Sequence, residues 1–428
     1  MRPRIPRSLI PLGIAALLTG LAVPAQAQAE SAKPTGHRLS ADARFSVDPD
    51  GDAAQQVLRD LSDHDPVGAL AMAKLASWPQ AQWFSDGTPG QVEERARTLV
   101  RHAARTGTVP VLVAYDIPGR DCSQYSSGGA RSDADYQAWI AALARGVGRA
   151  KAVIVLEPDA LANLPRDCSP TTDPTGALTA GRVADLRYAI DALEKQPNTT
   201  VYLDAGNSHW QSVGTMTQRL IDAGADRAQG FSLNVSNFFA TDVSNHYGTW
   251  VANCLWFATK GPEAARGHAD SCAGQYYSPA APNDGRPGNS VDVDDPTTWH
   301  WTDQWFRQNV GSPPADELTH FVVDTGRNGK GAWKPPAGKY TGDPQIWCNP
   351  PGRGVGDRPT ADTGTPLVDA YLWIKTVGQS DGQCNRSIPG ATVDPEYGTV
   401  DPPAGTWWPE QAHALVRNAE PALTFDWH

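Results

Sequence analysis

Two aliphatic runs in this 428-residue chain end abruptly in carboxylates: Val113–Cys122 (VAYDIPGRDC) and Val153–Leu164 (VIVLEPDALANL). Runs of this kind form buried strands, and a buried strand spends no position on Asp without a reason. One strand delivers Asp121 and the other Asp159. Together they supply what glycoside hydrolysis requires, a protonated acid beside the leaving oxygen and a second carboxylate nearby. Asp159 has the acid's position, because its strand is apolar and a neighbour such as Asp121 raises its pKa by like-charge repulsion. Capping of the following helix is the alternative for either Asp alone; the two motifs together favour chemistry. Asp381, in VGQSDG, follows another strand end in a loop flanked by two glycines, which lets the backbone approach a substrate closely. Asp204 and Asp324 also end strand-like runs. For Asp324 hydrogen bonding to neighbouring loops is the stronger reading, and for Asp204 the two readings stand level.

Several elements must position these groups. Strands are expected at 69–76, 109–116, 152–158, 200–205, 229–235, 320–325 and 369–375. Amphipathic helices are expected at 91–106, 132–147 and 180–195. Repeated βα units imply an α/β fold with a parallel sheet and helices outside. Strand ends carrying Asp, Asn, Trp and Lys point to a TIM-like β/α barrel with the site at the C-terminal ends. A doubly wound sheet is the fallback, but no Gly-rich phosphate loop follows the first strand. Residues 245–316 and 385–405 carry no strand signal, and stretches of this length are expected to be long functional loops above the barrel mouth. Trp299, Trp301 and Trp305 crowd into the first, and at least one is expected to line a substrate path, with burial as the equal alternative.

At the N-terminus, Arg2, Arg4 and Arg7 precede an apolar run from Leu9 to Val23 and two A-x-A sites, the pattern of a secretory signal peptide over 1–29. A secreted protein without a membrane span follows. A disordered lead-in is expected over 30–55, with Asp48–Asp52 a turn rather than a calcium loop, and one catalytic domain over 56–428. The formal net charge of −11 excludes a nucleic-acid partner, since nothing would neutralise phosphate. A neutral polymer suits better, and 15 Trp offer ring faces on which sugars stack. The six Cys of an exported chain suggest three disulfides. Fifteen pairings are open to six cysteines, and pairing in sequence order gives Cys122–Cys168, Cys254–Cys272 and Cys348–Cys384. No C-x-x-C pair or His cluster has ligand spacing, so neither metal nor cofactor is expected; for the acidic run Asp292–Asp295 a solvated loop is preferred over a calcium site. A monomer is expected.

The motifs YDIPGRDC, SSGG, EPDALANL, YLDAG, NVSNF, DTGRNG, WCNPPGRG and WIK…SDG resemble, in order and over about Ala69–Pro421, glycoside hydrolase family 6. That resemblance implies an inverting cellulase with a distorted seven-stranded barrel, acting on cellulose or another β-1,4-glucan. It implies that Asp159 is the general acid, that Asp121 tunes it and helps hold water, and that Asp381 stands at the debated base. It places Tyr115 against the distorted sugar and Ser127 on a mobile water-contacting loop. Trp83, Trp210 and Trp347 fall at ring-stacking positions, and Asn237 and Lys375 at sugar-hydroxyl contacts. Cys122–Cys168 and Cys348–Cys384 match the family's two disulfides. Two positions depart from the pattern and sit among the expected sugar contacts: Gln379 where Glu is usual, and Asn207 where D-A-G is commonly followed by His. Long loops that roof the site favour end-wise cellobiose release over internal attack, so the two long segments lean toward a cellobiohydrolase. An endoglucanase, a binding protein that has lost activity, and a barrel hydrolase for another polymer such as xylan are the alternatives.

Overall fold

The computed structural model describes residues 39–169, 171–276 and 292–426. Seven strands, β1 Gln82–Phe84, β2 Val111–Ala114, β3 Ala152–Leu156, β4 Thr199–Asp204, β5 Gly230–Leu233, β6 His320–Asp324 and β7 Val368–Leu372, form one sheet whose spatial order is the sequence order. Every neighbouring pair is parallel. The helices are α1 Asp52–Ser62, α2 Pro66–Ala76, α3 Pro89–Thr106, α4 Asp133–Val147, a short α5 Pro165–Cys168, α6 Ala177–Glu194, α7 Val213–Asp222, α8 Thr241–Thr259, α9 His300–Asn309 and α10 Pro409–Arg417.

Alternate strand residues separate two cores. Val111, Val113, Val153, Val155, Tyr202, Val322 and Leu372 pack together on one face of the sheet. Leu112, Ile154, Leu156, Leu203, Phe231 and Val323 face the helices. Both faces are covered, which is why these strands read as continuous apolar runs rather than an alternation. The sheet curls: the Ala81 N–H donates to the Trp373 carbonyl (2.9 Å) and the Trp83 Nε1–H to that of Ile374 (2.8 Å). The flank of β1 thereby meets the end of β7, yet the two share no ladder. The result is a distorted half-barrel open along one seam, with every strand end at the same mouth.

Three expectations change. Residues 69–76 are helix α2, not the first strand: Asp65 accepts from the Gly68 N–H (2.8 Å), Pro66 opens the helix, and Ala, Leu, Met and Lys prefer it. An apolar run of that length does not tell a buried helix from a strand, and the true first strand has only three residues. The lead-in expected to be disordered is packed where it is described. Phe45 is buried and bridges in parallel to Val109, with Ser46 N–H on the Val109 carbonyl (2.9 Å), and α1 begins at Asp52. Asp48–Asp52 is the expected turn, closed by Asp50 N–H on Asp48 Oδ1 (3.0 Å). Residues 1–29, where a signal peptide is expected, lie outside the described residues.

The segment 245–316 is not structureless either, for α8 and α9 occupy much of it. Trp299 is fully buried, with Trp250 at 4.8 Å and His246 at 5.2 Å between ring centroids. Of the three tryptophans, at least one of which was expected to line a substrate path, Trp299 therefore takes the alternative and belongs to the core, and Trp305 packs on Phe257 and Phe306. Among the described residues no helix is long and apolar enough to cross a membrane. Trp299→Ala should cost about 3–5 kcal/mol of stability, read by denaturant unfolding; a loss within the ~0.5 kcal/mol typical of surface changes would place the ring outside the core.

Candidate active site

The carboxylates singled out from sequence gather at the C-terminal ends of β2, β3, β4 and β6 and in the loop after β7. Backbone geometry marks the spot: Asp121 (φ 55°), Glu157 (φ 50°), Asp159 (φ 68°), Asn234 (φ 66°) and Ser236 (φ 61°) all adopt the left-handed region. Non-glycine residues hold that conformation only where the surroundings over-determine it, and such positions concentrate at functional sites. Glu157 shows how the turns are held. Fully buried, its carboxylate accepts the N–H groups of Asp116 and Ile117 (3.1 Å each) and so joins the end of β3 to the loop after β2.

Asp159 follows β3, its side chain capping no helix. Its N–H donates to Asp204 Oδ1 (3.0 Å). Burial pushes its carboxyl well above the ordinary range, reinforced by the charges of Asp204, Asp121 and Asp381 and opposed by that of Lys375. Asp121 is also raised, by burial, although the Ser126 N–H (2.6 Å) and Arg120 favour its charged form. Asp381 is compensated instead. Arg327 grips both its oxygens (2.9 and 3.0 Å), the Asn349 N–H donates to Oδ2 (3.0 Å), and Lys375 Nζ stands 3.9 Å away. Burial brings Lys375 down to about 8, against the pull of Asp381.

Tyr115 lies edge-on to Trp83 (5.4 Å) beneath the Arg120 guanidinium (4.6 Å), and Lys375 approaches the Trp83 ring (5.8 Å). Ser127 is exposed on the loop that Asp121 anchors, Trp210 is 37% exposed, and Trp347 is half-buried beside Tyr125 (5.9 Å). Other positions differ from expectation. Asp204, for which a role in the site and hydrogen bonding to neighbouring loops stood level, is fully buried, and its oxygens are taken up by Asp159 N–H, Gly206 N–H (2.9 Å) and Ser232 Oγ (3.2 Å); burial raises it to about 7. Asn207 is buried too, its Oδ1 spent on the His209 N–H (3.0 Å). Asn237 turns its amide to the Val235 carbonyl (3.1 Å). Gln379 donates to Asp52 of α1 (2.9 Å), beside a cavity of about 270 Å³ that Trp83 also lines. Asp324 is a structural carboxylate, as the stronger reading had it, accepting the N–H groups of Ser236, Gly326, Ile374 and Lys375.

The sequence reading passed over Arg327 and Asn349, which clamp Asp381. Both stood inside motifs already noted, DTGRNG and WCNPPGRG, but nothing in a linear sequence says which carboxylate an Arg will meet. All three disulfides form in sequence order, Cys122–Cys168, Cys254–Cys272 and Cys348–Cys384. The acidic run 292–295 is occupied by protein partners: Asp294 pairs with His209 (2.9 Å) and Lys334 (3.1 Å), and Asp295 caps a short 3₁₀ turn.

Residues 40–419 match the family model described as glycosyl hydrolases family 6. The chain belongs to this family. It is accordingly a glycoside hydrolase of the cellulase class. Endoglucanase A of Cellulomonas fimi is 32% identical over 81% of the chain, which spans 56% of that relative's length. A probable 1,4-β-D-glucan cellobiohydrolase C of Aspergillus niger is 29% identical over 95% of the chain and 82% of its own length. Among solved structures, the endoglucanase Cel6 of Mycobacterium tuberculosis, in complex with a thio-linked methyl cellobiosyl-cellobioside, superposes with a TM-score of 0.63 at 31% identity, over 88% of this chain and 98% of that one.

Arg327→Met in this family 6 hydrolase leaves Asp381 buried without its bidentate partner. The loss expected on breaking such a pair is about 3–5 kcal/mol, measured by chemical denaturation near neutral pH. A variant as stable as the parent would show that solvent reaches Asp381 freely.

Proposed function

We propose that this chain is a secreted endo-β-1,4-glucanase that cleaves cellulose with inversion, using Asp159 as general acid. The observation that carries the reading is the contrast among carboxylates at one mouth. Asp159 has no cation bonded to it and three acidic neighbours, so its proton is held above the ordinary carboxylate range, whereas Asp381 is clamped by Arg327. An acid that holds its proton above the ordinary carboxylate range can donate to the departing glycosidic oxygen. On this reading Asp121, with Ser127 on the loop it anchors, orders water on the other face of the sugar. Trp83 and Tyr115 pack against the ring beside the scissile bond, and Trp210 and Trp347 stack further glucosyl units. In an inverting site acid and base stand roughly 6.5–9.5 Å apart, with room for that water.

Internal attack is supported by how 245–316 is used: its described part is largely helix, with Trp299 in the core rather than over a glucan. The C. fimi and M. tuberculosis relatives are endoglucanases. End-wise cellobiose release remains the second reading, and one contact favours it. Asp294 reaches His209 in the turn after β4, so the long segment's described foot lies at the mouth. Viscometry of carboxymethyl cellulose decides between them. Endo attack predicts a steep viscosity loss while few reducing ends have formed; cellobiose release with viscosity preserved would establish the end-wise mode.

Asp159→Asn should lower kcat on cellotetraose by on the order of 10²–10⁴-fold with binding retained, and near-parental turnover would remove Asp159 from the acid's role. Because the reaction needs Asp159 protonated and its pKa is raised, activity should persist above the ordinary carboxylate range and fall as pH climbs through the raised value. Proton NMR of early product should show the α-anomer first; early β-anomer would mean retention.

A further inference from the structure

Asp401 is a buried carboxylic acid that the chemistry above does not use. It lies in the segment 385–405, which is stitched onto the loop carrying Asp381: Ser380 N–H donates to the Thr406 carbonyl (2.9 Å), Gly405 N–H to that of Ser380 (2.9 Å), and Ser380 Oγ to that of Pro402 (2.7 Å). Asp401 is 1% exposed. Its Oδ2 accepts from the Asn349 side-chain amide (2.9 Å), while its Oδ1 is buried and meets no donor. Asp394, wholly buried and ion-paired with Arg386, has a carboxylate oxygen within 4.8 Å of one of Asp401. Asp394 is offset by Arg386, so the repulsion between the two carboxylates bears on Asp401, which has no cation bonded to it. Cys384 Sγ lies in the same cluster but is bonded to Cys348, so it is no thiolate and the cluster is no metal site. Burial, with Asp394 beside it, pushes Asp401 up to about 7.

Asn349 connects this pair to Asp381 directly. Its N–H donates to Asp381 Oδ2 (3.0 Å), its Oδ1 accepts from the Asp381 N–H (2.8 Å), and its amide nitrogen faces Asp401, Ser380 Oγ (3.0 Å) and the Gly382 carbonyl (2.9 Å). We propose that Asp401 is a positioning residue for Asp381: Asp401, seated beside the Arg386-bound Asp394, orients Asn349, and Asn349 holds the Asp381 carboxylate and backbone in register with Arg327. The inference rests on the glucanase reading for the use to which Asp381 is put.

The sign of the pH dependence follows. Arg386 and Tyr397 from the same segment face the pair, and beyond Asn349 stand Asp381, Arg327 and Lys375; Ser380, Gln345 and Gln411, which approach from other elements, are neutral. Asp401 is raised above its ordinary value, so the ordered arrangement is complete at low pH and is lost as pH rises through about 7. Ionising Asp401 places a negative charge without a bonded cation beside Asn349, and Asp381 loses its register.

The general acid also titrates on the basic side, so the test uses 2,4-dinitrophenyl β-cellobioside, whose leaving group needs no proton. The parent enzyme should show a basic limb in kcat near pH 7 on this substrate. In Asp401→Asn, which keeps an acceptor for Asn349 and an N–H for Asp394 but cannot titrate, that limb should move up by roughly one pH unit or more with KM unchanged. Superimposable profiles would overturn the proposal. If Asp401→Asn does not fold, the Asn349 side-chain amide resonances of the parent enzyme decide: they should titrate with the midpoint of the activity limb, and a different midpoint or no shift refutes the coupling. A parent enzyme inactive on both this glycoside and cellotetraose would refute the glucanase reading, leaving the Asn349 titration to judge the pair.

Discussion

The structure turns on the unequal compensation of buried carboxylates around one barrel mouth. Removing a charge from water costs several kcal/mol unless a partner offsets it, and a carboxyl left without one takes up a proton. Asp381 has Arg327, Lys375 and a backbone N–H; Asp324 has four backbone N–H groups; Asp204 has two and a hydroxyl. Asp159 shows no such set and is surrounded by negative charge. The same side chain thus holds its proton more tightly, grips a cation or braces the backbone according to what its neighbours donate.

Such neighbours must be held rigidly, and the backbone does much of the holding. Asp204 accepts the Asp159 N–H, and Glu157 accepts those of Asp116 and Ile117, so buried carboxylates pin the unusual turns that aim the others. Two disulfides begin beside the chemistry: Cys122 adjoins Asp121, while Cys348 precedes Asn349 and joins Cys384 on the loop of Asp381. Left-handed backbone at Asp121 and Asp159 is strain, of order 1–3 kcal/mol per residue in general. The dry core beneath and these crosslinks offset it.

How much of this was legible follows from which interactions are local. Six of the seven strands announced themselves, because a strand buried on both faces must be an apolar run. The first did not: at three residues it has no period, and the longer run before it was helix α2. The carboxylates were legible for the same reason as the strands, since Asp at the end of an aliphatic run is conspicuous. Their partners were not. Arg327 reaches Asp381 across 54 positions and Asn349 across 32, and pairing over such distances is decided by tertiary packing alone. Trp299 shows where sequence left two readings level: within a cluster of aromatic residues between polar turns, this ring belongs to the core.

Gln379 illustrates how a departure from the family pattern is read once its surroundings are known. From sequence it stands where the resemblance implies a Glu among the sugar contacts. In the structure its amide donates to Asp52, in the first turn of α1. A Glu at that position would set two carboxylates face to face, which requires a shared proton to be stable. The amide makes the same bridge without one. It ties the N-terminal segment, once expected to be disordered, to the loop that carries Asp381 and to the cavity beside Trp83. Gln379 therefore fastens α1 to the loop after β7, beside the cavity that Trp83 lines at the open seam of the half-barrel.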